Sequence, residues 1–316
     1  MSRRSCPPSD APAVPRDGLV VASFGRHLLV EAPGGERTRC HPRGKRLEAV
    51  VGDRVQWSAS GDEGVIEAVL PRRNVLFRQD DVRTKMLAAN LDRVLILLAA
   101  EPVFSEGHLA RALIAARHAG IEPLIGLNKR DVQPAFDEAW ARLAPYRAMG
   151  ETVLPLQLHA ADGAAMDTGL AALLKVLQGH VTLVMGASGV GKSTLVNRLV
   201  PHAQAETQAI SRALGTGRHT TTRTTWYWLS EARDGALIDS PGFHAFGLHH
   251  IAPEALAPLM PDLAPFLGQC RFHNCTHRRE PGCAVQAAVA PQGPIAPQRW
   301  RLYIELYEEL LAARSH

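Results

Sequence analysis

At 316 residues, 46% apolar and 21% charged, the chain is long enough for two or three domains with their own cores and too apolar for a disordered polymer. No apolar run approaches the roughly 18 residues of a membrane span, and the start, Met1 to Pro8, lacks the apolar centre of a signal peptide, so a cytoplasmic protein with no membrane partner is expected. A net charge of +4 is too mild to imply nucleic acid by itself, and five cysteines, with Cys270, Cys275 and Cys283 in one short window, argue for metal rather than disulfides.

Residues 1–16, with early Arg and several Pro, read as a disordered arm. Residues 17–80 then carry short alternating runs: Leu19-Val20-Val21, His27 to Val30, Arg37 to Cys40, Arg54 to Trp57 and Gly64 to Val69. Turns at Pro33-Gly34-Gly35, Val51-Gly52-Asp53 and Ser60-Gly61-Asp62 divide them. Such strands suit a small closed barrel of the OB type. Arg37, Arg39, Arg43, Lys45, Arg46, Arg72 and Arg73 are either a face that tracks a phosphate backbone or an ordinary solvated surface.

Beyond Asp81 the pattern changes. Leu91 to Ala100 is a near-continuous apolar run, the mark of a strand buried on both faces. A helix (Gly107 to Ala119), a strand (Ile121 to Leu127), a helix (Ala135 to Ala148), a strand (Thr152 to Gln157) and a helix (Leu170 to Leu177) follow. This alternation predicts a parallel α/β sheet with ligands at the strand ends. The second strand runs into Asn128-Lys129-Arg130-Asp131. A carboxylate there can accept hydrogen bonds from N1 and N2 of guanine, which adenine cannot both offer. Asn128 would hold the base or brace the loop, and the Lys129 stem would lie over the ring. Alone the tetrapeptide could equally be a turn.

The next strand, Val181 to Met185, leads into Gly186-Ala187-Ser188-Gly189-Val190-Gly191-Lys192-Ser193 and a helix from Thr194 to Leu199. Strand, glycine loop and helix form the setting of a phosphate-binding P-loop. Its backbone N–H groups would wrap an anion beside the positive end of the helix. Lys192 would face the outer phosphates, the Ser193 hydroxyl would ligate Mg²⁺, and Thr194 would complete the contacts. With this loop in the same sheet, the Asn128 to Asp131 motif points to guanine. Further on, Ser211 to Thr222 is a flexible polar loop able to present a second Mg²⁺ hydroxyl, or simply a Thr-rich connection. Strands Thr224 to Leu229 and Ala236 to Ile238 precede Asp239-Ser240-Pro241-Gly242. There Asp239 would hold Mg²⁺ through water, and the Gly242 N–H would sense the γ-phosphate.

Cys270, Cys275, His277 and Cys283 offer three thiolates and an imidazole, a closed set suited to one structural Zn²⁺. His273 is an alternative imidazole. Arg271, Arg278 and Arg279 surround the set and could grip RNA phosphates. Trp300, Tyr303, Ile304, Tyr307, Leu310 and Leu311 recur at helical spacing as core packing for a terminal helical domain.

In ordinary GTPases the guanine motif comes last, whereas here it precedes the P-loop, which amounts to a circular permutation. That order resembles the RsgA family of ribosome small-subunit-dependent GTPases. So do the flanking barrel and Cys/His cluster, and the peptides Gly217-Arg218-His219-Thr220-Thr221-Thr222, Asp239-Ser240-Pro241-Gly242 and Glu280-Pro281-Gly282-Cys283. The resemblance implies a barrel over 17–80, a permuted GTPase domain over 81–248 and a zinc-binding helical domain over 249–316. It also implies GTP hydrolysis that is slow alone and stimulated by the small (30S) ribosomal subunit, with barrel and zinc domain holding 16S rRNA in a monomeric protein. A nucleotide-gated RNA-binding protein with incidental hydrolysis is the alternative.

The resemblance also implies residue roles. It places the water-handling histidine on His219, the Mg²⁺ threonine on Thr221 and the zinc imidazole on His277. Phe243 stands where other GTPases keep a water-orienting Gln, and His250 is a reserve candidate for handling water. The family's Ser-rich guanine segment reads Leu158 to Gly163 here, so backbone N–H groups of Ala160 or Ala161 would have to serve. Because the Asp239 to Gly242 peptide leads into the cysteine segment, a γ-phosphate contact would reposition that domain as a unit.

Overall fold

The computed structural model describes residues 15–24, 27–44, 46–79, 84–159, 168–200, 202–203, 224–241 and 247–314. The first strands are β1 (Arg16–Phe24), β2 (His27–Glu31), β3 (Arg37–Pro42), β4 (Arg54–Ser60) and β5 (Glu63–Val69). They pair in the order β1-β2-β3-β5-β4, and β4 pairs back onto β1, which closes a five-stranded barrel. Alternation places Val20, Leu29, Val55, Trp57 and Ile66 inside it.

A hairpin that the hydrophobic pattern did not announce follows, β6 (Val75–Gln79) with β7 (Thr84–Ala89). Its end is tied to the barrel, since Ala89 N–H donates to the Val51 carbonyl and the Asn90 amide to that of Gly52. Arg72, just before the hairpin, forms a two-pronged pair with the fully buried carboxylate of Asp53, at 2.7 and 2.8 Å.

The α/β part comprises β8 (Arg93–Ala99), α1 (Glu106–His118), β9 (Glu122–Asn128), α2 (Ala135–Arg142), α3 (Ala144–Ala148), β10 (Val153–Pro155), α4 (Thr168–Leu177), β11 (Val181–Met185), α5 (Lys192–Leu199), β12 (Thr224–Trp228) and β13 (Ala236–Asp239). One helix was expected over 135–148, but two form. Pro145 has no N–H to give and its ring crowds the carbonyl of residue 141, so the helix breaks at Leu143. The sheet runs β10-β9-β8-β11-β13-β12, parallel except for β12. The pleat of β8 explains its unbroken apolar run. Val94, Ile96 and Leu98 pack into the core on the α1 side, while Leu95, Leu97 and Ala99 pack with Leu173 of α4 and Leu195 of α5.

β12 also pairs with β1, Thr225 opposite Ala22, so barrel and α/β sheet are one continuous sheet. The seam is pinned by buried Glu31, which accepts from Arg37 Nε at 2.8 Å and Trp228 Nε1 at 2.9 Å and pairs with Arg233 at 3.3 Å.

Past Gly247 the chain makes short 3₁₀ turns, then α6 (Ala284–Ala287) and α7 (Pro297–Arg314). Of the expected α7 stripe, Tyr303, Tyr307 and Leu310 are buried, whereas Leu311 is 36% exposed and Leu306 takes part instead. Leu256, Met260, Tyr303 and Leu306 share one core with Leu113 of α1 and Tyr146 of α3. Arg111–Glu309 and the Arg117 bond to the Leu259 carbonyl reinforce the contact. A domain repositioned as a unit would have to open this core.

Candidate functional site

The turn after β11 must pass very close to its neighbours, which accounts for its glycines. A Cβ on Gly186 would lie 2.3 Å from the Leu97 carbonyl oxygen, and one on Gly191 2.5 Å from the Asn128 amide nitrogen. Gly191, at φ 109°, then opens α5 from a left-handed conformation. Ala187, Ser188 and Gly189 stand open to solvent, as does Ser193 on the first turn of the helix. The free N–H groups of that turn form a ready anion cradle.

Lys192 is 9% exposed, and its ammonium donates to the carbonyls of Gly186 at 2.8 Å and Ala187 at 2.9 Å. Burial depresses its pKa against the opposing charge of Asp239. Asp239 ends β13 next to the P-loop strand, with Val184 opposite it in register. Burial pushes its carboxyl up to about 6, although Lys192 and the Ser240 N–H pull the other way. Its Oδ1 is buried and has no hydrogen-bond partner among the described residues. An orphaned carboxylate oxygen beside a phosphate cradle suits a hydrated hard cation such as Mg²⁺.

The Asn128 to Asp131 motif stands at the end of β9, one strand beyond β8 from the P-loop strand. Asn128 closes that gap. Its side chain, 1% exposed, donates to the Val190 carbonyl at 2.9 Å and accepts from the Leu158 N–H at 3.0 Å. One amide therefore clamps the P-loop to both the β9 end and the segment after β10, which is bracing rather than base contact. Lys129 takes a left-handed conformation (φ 66°) and its ammonium reaches the Glu101 carbonyl. Asp131 is exposed on the same rim. His219, Thr221, Gly242, Phe243, Ala160 and Ala161 lie outside the described residues.

His250 is not at this rim. Its ring packs on Phe77 (centroids 5.5 Å apart) and on His118 (5.6 Å), the last residue of α1. Because α1 follows β8, its far end lies at the opposite end of the strands from the P-loop, about 20 Å along a 13-residue helix.

The four sulfur and nitrogen ligand atoms of Cys270, Cys275, His277 and Cys283 lie within 4.8 Å of one another. The Cys270 and Cys283 sulfurs are 3.9 Å apart, with His277 Nδ1 3.4 and 3.5 Å from them. A tetrahedral ion with bonds of about 2.3 Å to sulfur and 2.0 Å to nitrogen sets such pairs at about 3.8 and 3.5 Å. The donors therefore fit a metal ion, and His273 is exposed and is not among them. The supporting bonds explain the placement. Backbone N–H groups of Ala284 and Gln286 point at the sulfurs of Cys270 and Cys283. Trp300 and Tyr303 of α7 hold the carbonyls of His277 and Thr276.

The barrel arginines are largely occupied. Arg37 pairs with Glu31, Arg39 with Glu63, Arg43 with Glu67, Arg72 with Asp53 and Arg73 with Asp92. Sequence offered no sign of this, because every partner except Glu31 lies 19 or more residues away.

Taken together, fold and site define a P-loop nucleotide hydrolase whose Asn128 to Asp131 loop precedes its phosphate loop in the chain. The family model for the RsgA GTPase matches residues 69–249. The small ribosomal subunit biogenesis GTPase RsgA of Variovorax paradoxus is 60% identical over 301 residues, covering 94% of this chain and 93% of that protein. The protein of the same name from Paraburkholderia phytofirmans is 51% identical over 316 residues, covering 98% of each. Among solved structures, YjeQ from Thermotoga maritima matches with a TM-score of 0.70 at 28% identity, covering 94% of this chain and 99% of that one. YloQ, described as a circularly permuted GTPase, gives 0.67 at 25% identity, covering 96% and 98%. The chain belongs to the RsgA GTPase family.

Proposed function

We propose that this chain hydrolyses GTP during late maturation of the small (30S) ribosomal subunit, in the cytoplasm and as a monomer. On this reading hydrolysis is slow alone and faster on the subunit, and barrel and cysteine domain contact 16S rRNA. The observation that carries the reading is the Asn128 clamp on the Val190 carbonyl, since it joins a guanine-type loop and a phosphate cradle into one rim. The names of the relatives supply the ribosomal context.

Each group has a role that follows from its surroundings. The P-loop N–H groups and Lys192 hold the phosphates, with the ammonium turning from its own loop carbonyls to the anion. Asp131 reads guanine, and Lys129 flanks the ring. Ser193, Thr221 and Asp239 would hold Mg²⁺, which when bound neutralises charge on the phosphate oxygens. His219 orients water, and Gly242 responds to the γ-phosphate. The Cys270, Cys275, His277 and Cys283 set would hold Zn²⁺ in a structural role, because four protein ligands leave no position for a reacting water.

GTP turnover measured with and without purified small subunits tests the reading. Stimulation is expected, together with its loss in His219→Ala. Equal turnover with and without subunits would overturn it, and a stimulated His219→Ala would favour nucleotide-gated RNA binding.

A further inference from the structure

Between two members of the cysteine set the chain displays Arg271-Phe272-His273-Asn274, all four exposed. Phe272 is 41% exposed, and among the described residues no other Phe, Tyr or Trp is as open. The Arg271 guanidinium carbon lies 5.4 Å from the centre of its ring. An isolated apolar side chain on a surface needs no explanation. This one is carried on a backbone bonded on both sides and lies next to a guanidinium.

Rigidity comes from both sides. Cys270 and Cys275 bracket the peptide, Arg271 N–H donates to the Gly282 carbonyl at 3.0 Å, and Cys275 N–H donates to the Phe272 carbonyl at 3.3 Å. The backbone that carries the ring is therefore fixed before binding, which limits the entropic cost to that of the side chain. Glu280, the one carboxylate between Cys270 and Cys283 in the sequence, is consumed internally. It accepts from the Thr276 N–H and hydroxyl and from the N–H groups of Arg278 and Arg279. Arg278 is also engaged, stacked 4.6 Å over the Tyr307 ring. That leaves Arg271, next to the Phe272 ring, and Arg279, exposed on the same Cys270–Cys283 segment.

We propose that Phe272 is a stacking platform for an unpaired RNA base, with Arg271 and Arg279 on the adjoining phosphates. This rests on the rRNA-binding reading above and deepens it, for it specifies single-stranded rather than duplex RNA. A base buried in a helix has no free face to offer an exposed ring, whereas an unpaired one does. The Asn274 side chain and the His273 imidazole lie within the same exposed peptide, where base edges would come.

The test uses the full-length, metal-loaded protein, a ten-nucleotide single-stranded RNA carrying 2-aminopurine, and a duplex of the same sequence. Stacking contributes about 1–3 kcal/mol per base, so Phe272→Ala should weaken single-strand binding by about 5- to 150-fold and abolish the 2-aminopurine quenching. Phe272→Leu, which keeps an apolar side chain but no planar face, should lose the quenching too, while Phe272→Trp should retain it. Duplex binding should change less than twofold in all three, and Arg271→Ala should weaken both RNAs and flatten their salt dependence. Metal content reports whether each variant is folded around the cysteine set. Unchanged quenching in Phe272→Ala and Phe272→Leu, or equal losses for single strand and duplex, would overturn the proposal. If small subunits stimulate wild-type turnover while Phe272→Ala binds single strands like wild type, the platform fails and the wider reading stands. If wild type binds neither RNA and is not stimulated, both fail.

Discussion

Replacing Asn128 with Ala removes a side chain that is 1% exposed and bonded at both ends. It strands the Val190 carbonyl and the Leu158 N–H in a buried pocket. An unsatisfied buried polar group costs about 1–3 kcal/mol, so the two together should cost about 2–4 kcal/mol once the pocket relaxes. Part of this falls on the free protein and part on its complex, because the P-loop is then no longer held against the purine rim. With about 1–2 kcal/mol reaching the complex, GDP affinity should fall about 5- to 30-fold. Urea unfolding without nucleotide reads the first part, and a fluorescent GDP titration reads the second. Asn128→Asp should be at least as damaging, since it sets a carboxylate oxygen against the Val190 carbonyl. A variant that loses affinity with an unchanged unfolding midpoint would show that Asn128 touches the base instead of bracing the loops. One that loses neither would refute the reasoning.

Asp262→Ala should destabilise the chain by about 3–5 kcal/mol, because Arg299 is 8% exposed and would be left without its two-pronged partner. Adding Arg299→Met should recover most of the loss in the same urea titration. Asp239 predicts a pH dependence in protein free of nucleotide and metal. Its carboxyl is raised from 3.8 to about 6 in the fold, so the penalty is complete above about pH 6 and is relieved as pH falls through 6 toward 3.8. At about 1.4 kcal/mol per unit the ceiling is about 3 kcal/mol, and Asp239→Asn should be the more stable chain above pH 7. Superimposable stability–pH curves for the two would contradict this. Chelation should lower stability and change Trp300 emission, since its indole N–H is bonded to the carbonyl of the ligand His277. A chelated chain with unchanged emission and midpoint would count against the metal centre.

Much of the architecture was legible because its signals are local. The β8 run, the glycines after β11 and the cysteine spacing each fit within a dozen or so residues, and each appears in the fold as its pattern implied. What escaped depends on distant pairing. The basic barrel face is mostly ion-paired because glutamates from other strands reach it, and Glu31 meets Trp228 only through the β1–β12 seam. The break at Leu143 was legible in principle from Pro145, but helical periodicity on both sides concealed it. His250 illustrates a further limit. It follows the Asp239 peptide closely in sequence, yet its ring packs against His118 at the far end of α1. Proximity along the chain is a poor guide to membership of a strand-end site.

The most direct test is a nucleotide exchange of specificity at Asp131. A carboxylate on the rim that Asn128 clamps to the P-loop should prefer GDP to ADP and to xanthosine diphosphate. Asp131→Asn offers a donor where xanthine has an oxygen in place of the guanine amino group. GDP binding should fall about a hundredfold or more, while xanthosine diphosphate binding rises above it. If Asp131→Asn binds GDP as wild type does, the purine lies elsewhere and the two loops do not form one guanine-nucleotide cleft.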